Sequence, residues 1–157
     1  MRLAGVVLAL AALFSTPVLL AAQETLQAPS AGQATVESPG IAAAIELLEE
    51  EESRFEKVFV YAEFHELSQG QNMRFEVLAR PKGVPMLIRI PVEKQSELMH
   101  ALVMDADERG VPPWRRLAII KEGENFILST GMEVGPFDQF QDRHRALVAQ
   151  VFPDLQR

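Results

Sequence analysis

The chain has 157 residues, a net charge of −7 and no cysteine. That length suits one domain with a real core, and so acidic a chain repels phosphate backbones, which argues against nucleic acid as a partner. Without cysteine there are no disulfides, no thiol chemistry and no Cys-ligated metal, so the fold must rest on its core alone.

In chain order, Arg2 is followed by an apolar or small-residue run from Leu3 to Phe14. Ser15, Thr16 and Pro17 break the run before Val18 to Ala22. A charged start, an apolar middle and small residues at a cut point are the parts of a secretory signal, so residues 1–22 are expected to be a signal peptide. A cut after Ala22 leaves Leu20 where a small residue is preferred. The competing reading is an uncleaved anchor, since Leu3 to Leu20 just reaches across a thin bilayer. Pro17 and the lack of Lys or Arg directly after the run argue against it. Cleavage leaves 14 basic and 22 acidic residues, a net charge of −8. Residues 23–38, rich in Ala, Gln, Ser, Gly and Pro with no apolar period, read as a flexible linker.

Ser38-Pro39 is a helix start, a capping hydroxyl followed by Pro at the first helical position. Ile41, Ala44, Ile45 and Leu48 share one face, and Glu49 to Glu52 form an acidic, solvated end. Lys57 to Glu66 alternates: Val58, Val60, Ala62 and Phe64 lie on one side, Phe59, Tyr61, Glu63 and His65 on the other. Met73 to Arg80 alternates too, with Met73, Phe75, Val77 and Ala79 apolar. A hairpin must place both apolar sets on one face. Pairing Phe64 with Phe75 and Ala62 with Val77 does so, and leaves Gln69-Gly70 as the turn. This register sets Arg74 across from His65 and Glu76 across from Glu63.

Pro81-Lys82-Gly83 is a second turn, and Met86 to Ile90 a third strand closed by Pro91. A helix is expected from Val92 to Arg109, its stripe made by Val92, Met99, Leu102, Val103 and Ala106, with Gly110 as its stop. Arg116 to Lys121 and Phe126 to Thr130 form a second hairpin around Gly123, apolar on both faces and so covered on both. Pro136 opens a last helix lined by Phe137, Phe140, Leu147, Val148 and Val151, and Pro153 ends it.

Motifs for known chemistries fail on spacing. His65-Glu66 lacks the second His four residues after the first that a zinc helix needs; Gln69 stands there. Asp105 to Gly110 begins like a calcium loop, but Arg109 and Arg116 occupy ligand positions. There is no phosphate-binding loop and no nucleophile elbow. No catalytic set, metal site or cofactor is therefore expected. Tyr61, Glu63, His65, Arg74 and Glu76 read as a salt-bridged solvent face, or as a polar recognition patch. A sharper reading is an acid/base site with His65 as base and Glu63 orienting it. His144, on the apolar stripe of the last helix, reads as a buried, hydrogen-bonded core residue or as a pH-sensitive contact in a partner groove. His100 reads as exposed. Trp114 reads as a cover over the core edge or, if exposed beside Arg115 and Arg116, as a binding anchor.

The expected fold is α+β: an antiparallel sheet of about five strands with three helices, in the order α-β-β-β-α-β-β-α, in a single domain over residues 39–157. That order, with a long middle helix after Pro91 and the Leu117 to Thr130 hairpin before a final helix, resembles the type III secretion chaperone-like fold, which includes secretion chaperones and the YbjN-like family. The resemblance covers about residues 39–152, rests on element order, and carries over no site residue. It implies a dimeric binder of polypeptide segments; those chaperones are cytoplasmic, whereas this chain starts with an export signal. The expected function is thus a periplasmic or secreted, non-enzymatic protein-binding module, chaperone-like, adaptor or inhibitor. Its partner is another protein, a basic one by preference, with no nucleic acid and no membrane span once the signal is removed. Self-association as a homodimer stays open. The alternatives are a small hydrolase using His65 and Glu63, with Glu76, and a membrane-anchored subunit of an envelope complex.

Overall fold

Ser38 caps a helix, as its place before Pro39 foretells: its Oγ accepts from the Ile41 N–H at 3.3 Å. The computed structural model describes residues 38–156 except Glu52 and Gln69. The expected signal peptide, and all of the expected linker but Ser38, lie outside the described residues. Helix α1 runs Pro39–Glu50 and buries Ile41, Ala44 and Leu48, while Glu49 and Glu50 stay exposed. Asp105 reinforces the cap from 65 residues away, accepting from the Gly40 N–H at 2.9 Å and from the Ser38 hydroxyl.

The strands are β1 (Phe55–Leu67), β2 (Gly70–Pro81), β3 (Ile88–Arg89), β4 (Arg116–Glu122) and β5 (Asn125–Gly131). They form one antiparallel sheet in the order β3-β2-β1-β4-β5. Helix α2 (Val92–Leu102) follows β3, and α3 (Phe140–Val151) lies between short 3-10 segments at Phe137–Gln139 and Pro153–Gln156. Among the described residues the architecture is α+β in the expected order, with five strands and three α-helices.

The first hairpin keeps its expected faces but not its register. Phe64 pairs with Met73, Ala62 with Phe75 and Val60 with Val77, two residues away from the expected pairing. Leu67 pairs with Gly70, so the connection is residues 68–69, and Gly70 opens β2 at φ +128° instead of sitting in the turn. A shift of two conserves the pleat and the two-residue connection alike, so neither the apolar pattern nor the loop length distinguishes the two registers.

Strand β3 is shorter than expected. Pro85 removes a donor just before it and Met86 is exposed, so only Ile88 and Arg89 find partners, in Ala79 and Leu78. Helix α2 stops at Leu102 instead of Arg109, because the acids beyond it are drawn into other roles. Asp105 caps α1, and Asp107 accepts from the Arg109 and Val111 N–H groups in a turn. The buried face of α2 is Leu98, Ala101 and Leu102; of the expected stripe only Leu102 is buried, while Val92 is 71% and Met99 42% exposed. Gly110, at φ +76°, belongs to this loop.

Two cores result. Val58, Val60, Ala62 and Phe64 pack with α1, α2, Leu117, Ile119 and Trp114 on one face of the sheet. Phe59, Tyr61, Ala118 and Ile120 pack with Phe140, Leu147 and Val151 of α3 on the other. The Phe59–His65 side of β1 is therefore covered, not solvated. The α3 stripe needed an apolar face, and alternate β1 and β4 residues supplied it. In β5 the expected cover is partial, with Ile127 exposed at the sheet edge. Among the described residues no helix is long and apolar enough to cross a membrane.

Helices α1 and α2 meet at Gly40, where a Cβ would lie 2.5 Å from the Ala101 carbonyl oxygen. Backbone cannot yield as a flexible side chain does, so Gly40→Ala should cost about 2 kcal/mol by forced overpacking. Urea unfolding should show a lower midpoint at an unchanged slope; an unchanged midpoint would show that the two helices part freely.

Candidate functional site

The second face of β1 holds an ion cluster. Pleating puts Tyr61, Glu63 and His65 in one row, and α3 lies across it. Glu63 has no solvent exposure and His65 only 5%. A buried carboxylate has to be neutralised and hydrogen-bonded. Arg143, which the sequence reading did not single out, does this from α3: its Nε donates to Glu63 Oε1 at 2.7 Å and its Nη2 to Oε2 at 2.6 Å. The Tyr61 hydroxyl donates to Oε1, and His65 Nε2 lies 2.9 Å from Oε2. Arg143 Nη2 also donates to the Pro136 carbonyl at 2.9 Å. Gly135 makes room for the guanidinium, since a Cβ there would sit 2.5 Å from Nη1.

Burial pushes the Glu63 pKa up, but hydrogen bonds from Arg143, Tyr61 and His65, with the Arg143 charge, outweigh it and hold it below the ordinary carboxylate value. Tyr61 is driven well above the usual phenol value, by burial first and then by the bond to Glu63 and its charge. Arg143 is raised by its bond to Glu63. The cluster is thus a carboxylate locked in its charged form, with both oxygens engaged.

The other expected site residues fall elsewhere. Arg74 pairs in register with Glu63 and Glu76 with Tyr61, again two residues from expectation. Arg74 turns outward over the Phe137 ring at 4.2 Å, while His65 meets that ring edge-on at 5.1 Å. Glu76 ion-pairs with Arg89 at 3.4 Å. Trp114 is buried in the first core, and among the described residues its Nε1 has no hydrogen-bond partner. His144 is buried as expected, but it is stacked instead of hydrogen-bonded. Its ring lies parallel to Phe59 and Phe140 at 5.9 and 6.0 Å, and among the described residues Nε2 is unpartnered. Burial pulls its pKa down, with Arg89 adding to and Glu76 opposing the effect.

An open recess of about 340 Å³ lies beside this cluster, on the outer edge of β2. Val92 and Met99 of α2 form one lip, Phe140 and Gln141 of α3 the other, and Asn72 to Glu76 the floor. Among the described residues no group of three or more His, Asp or Glu side chains is placed to hold a metal. The chain matches no protein-family model, no curated protein and no solved structure.

Removing one partner of a buried pair leaves the other uncompensated, so Glu63→Gln should lower stability by about 3 kcal/mol. Its pH dependence should also change. The folded-state pKa of Glu63 is depressed, so its stabilisation is full above the ordinary value of 4.5 and is lost as pH falls through the folded value. Denaturant midpoints between pH 5 and pH 3 should fall more steeply in the natural chain than in Glu63→Gln; parallel curves would refute the charged state assigned here.

His144 gives a separate window. The unfolded chain takes a proton near 6.5 that the folded chain refuses, so stability should decline as pH drops below 6.5. His144→Gln should flatten that slope between pH 6.5 and pH 5, whatever its effect on stability at pH 8. A slope unaltered by the substitution would mean that His144 titrates alike in both states.

Proposed function

We propose that this chain is an exported, non-enzymatic module that binds a segment of another polypeptide. The observation that carries the reading is the contrast between a sealed polar cluster and an open recess lined by strand edge and apolar side chains. An acid/base enzyme built on Glu63 and His65 needs a carboxylate with a free oxygen and a path for substrate. Here both Glu63 oxygens are occupied, its basicity is held down, and α3 covers the row. The recess offers what polypeptide recognition uses instead: exposed Val92 and Met99 beside half-buried Met73 and Phe75, and a β2 edge that no described strand pairs with at those two residues. Met99 adds an adaptable apolar surface. The element order, like that of the type III secretion chaperone-like fold, also supports a binder, and the signal-like residues 1–22 support export.

Photo-crosslinking residues placed singly at Val92, Met104 and Met132, all well exposed, test this in cells. The expected result is a discrete polypeptide adduct at Val92. Adducts at none of the three positions would remove the reading.

A further inference from the structure

The sheet of this protein ends, on the β2 side, in a strand that is only partly used. Strand β3 covers Leu78 and Ala79 and nothing further along β2. The direction of the remaining backbone groups follows from the ladder. The Phe64 N–H donates to the Arg115 carbonyl at 2.8 Å, so even-numbered residues of β1 address β4 and odd-numbered ones address β2. Glu63, Tyr61 and His65 therefore exchange hydrogen bonds with Arg74, Glu76 and Asn72. Met73 and Phe75, lying between those, point their N–H and C=O groups outward, where no described strand pairs with them. These groups open into the recess between Val92 and Met99 on one side and Phe140 on the other.

We infer that the Met73–Phe75 edge of β2 is completed by strand addition, and that the strand is an extended segment of a partner polypeptide. The inference deepens the polypeptide-binding reading and rests on it. Backbone is the complement that a row of outward amides and carbonyls selects. The open edge from Gln71 to Val77 spans roughly 20 Å, the length of about six extended residues. Successive side chains of the incoming strand alternate between the two lips. Those on the α2 side meet Val92 and Met99 beside the half-buried Met73 and Phe75, and so are apolar. Those on the α3 side meet Arg74, exposed and laid on Phe137. Among the described residues Arg74 makes no ion pair, whereas Glu76 is neutralised by Arg89 at the β3 end of the recess. An Asp or Glu in the segment, facing Arg74, is the matching charge. A second copy of the chain fits less well, because its own β2 edge is recessed between the same two lips.

The test uses fluorescein-labelled eight-residue peptides with Val or Leu at alternate positions and Asp or Lys between them, titrated into the full chain and followed by anisotropy. The Asp peptide should bind at least tenfold tighter than the Lys peptide. N-methylation of one alternate set of amides should weaken binding at least tenfold, and of the other set hardly at all. Met73→Pro removes an outward N–H without touching the β1 ladder, and should abolish binding in a protein that still unfolds cooperatively. If that variant does not fold, Val92→Asp, at an exposed side chain, should have the same effect. Peptides that bind but ignore N-methylation and both substitutions would overturn the edge as the docking site and leave the polypeptide-binding reading in place. No binding by any peptide to folded protein would overturn both. A dimer in sedimentation that Met73→Pro splits would assign the edge to a second copy and overturn the partner proposed.

Discussion

The ion pair between Glu63 and Arg143 is the constraint on which the second layer of the protein depends. A carboxylate at zero exposure in the middle of the central strand is tolerable only if a cation reaches it. That cation comes from α3, 80 residues on in the chain, through a bidentate contact. The pair fixes more than a distance. A guanidinium fork meets both oxygens in one orientation only, so it sets the rotation of α3, and with it which helix face meets Phe59 and Tyr61. Apolar packing alone leaves helix rotation loosely determined, because the hydrophobic effect is non-directional. Buried pairs add little net stability when intact; what this one contributes is a single docking geometry for α3.

Period and turn chemistry made the element order readable. Alternation in Lys57–Glu66 and Met73–Arg80, and Gly123 in a tight turn, needed no long-range information. Register was legible only modulo two, since moving a strand by two residues leaves each side chain on the same face. The helix lengths failed for a different reason. Apolar residues from Val92 to Ala106 suit a longer helix, but Asp105 and Asp107 stabilise more as acceptors for the α1 cap and the following turn than as helix surface. Side chain–backbone competition of this kind cannot be read from periodicity.

The site was legible in part. Tyr61, Glu63 and His65 fall on one face by pleat alone, and that is how they lie. Their burial was not legible, because an acid, a His and a Tyr on alternate positions look like a wet face until the covering element is known. One signal was present: the α3 stripe, with Phe140 and Val151 at its ends, required an apolar surface that the other core did not provide. Arg143 carried no local mark at all, being one of two arginines flanking His144.

The short β3 links the two halves of the molecule. In the observed register Met86 to Ile90 can reach only Pro81 to Val77 of β2; Phe75 and Met73 would face residues 92 and 94, which belong to α2 instead. Because the chain turns into α2 at Pro91 instead of continuing as a strand, Val92 and Met99 stay at the surface, and among the described residues no strand pairs with the β2 backbone at Met73 and Phe75. Exposed edges are usually blunted by charge, proline or a bulge. Here the edge is instead set back between two helices, a position that keeps broad sheets from stacking on it while leaving access for a single strand. The Glu63–Arg143 pair, by holding α3 in place, sets the width of that slot on one side, so the buried cluster and the open recess are parts of one arrangement.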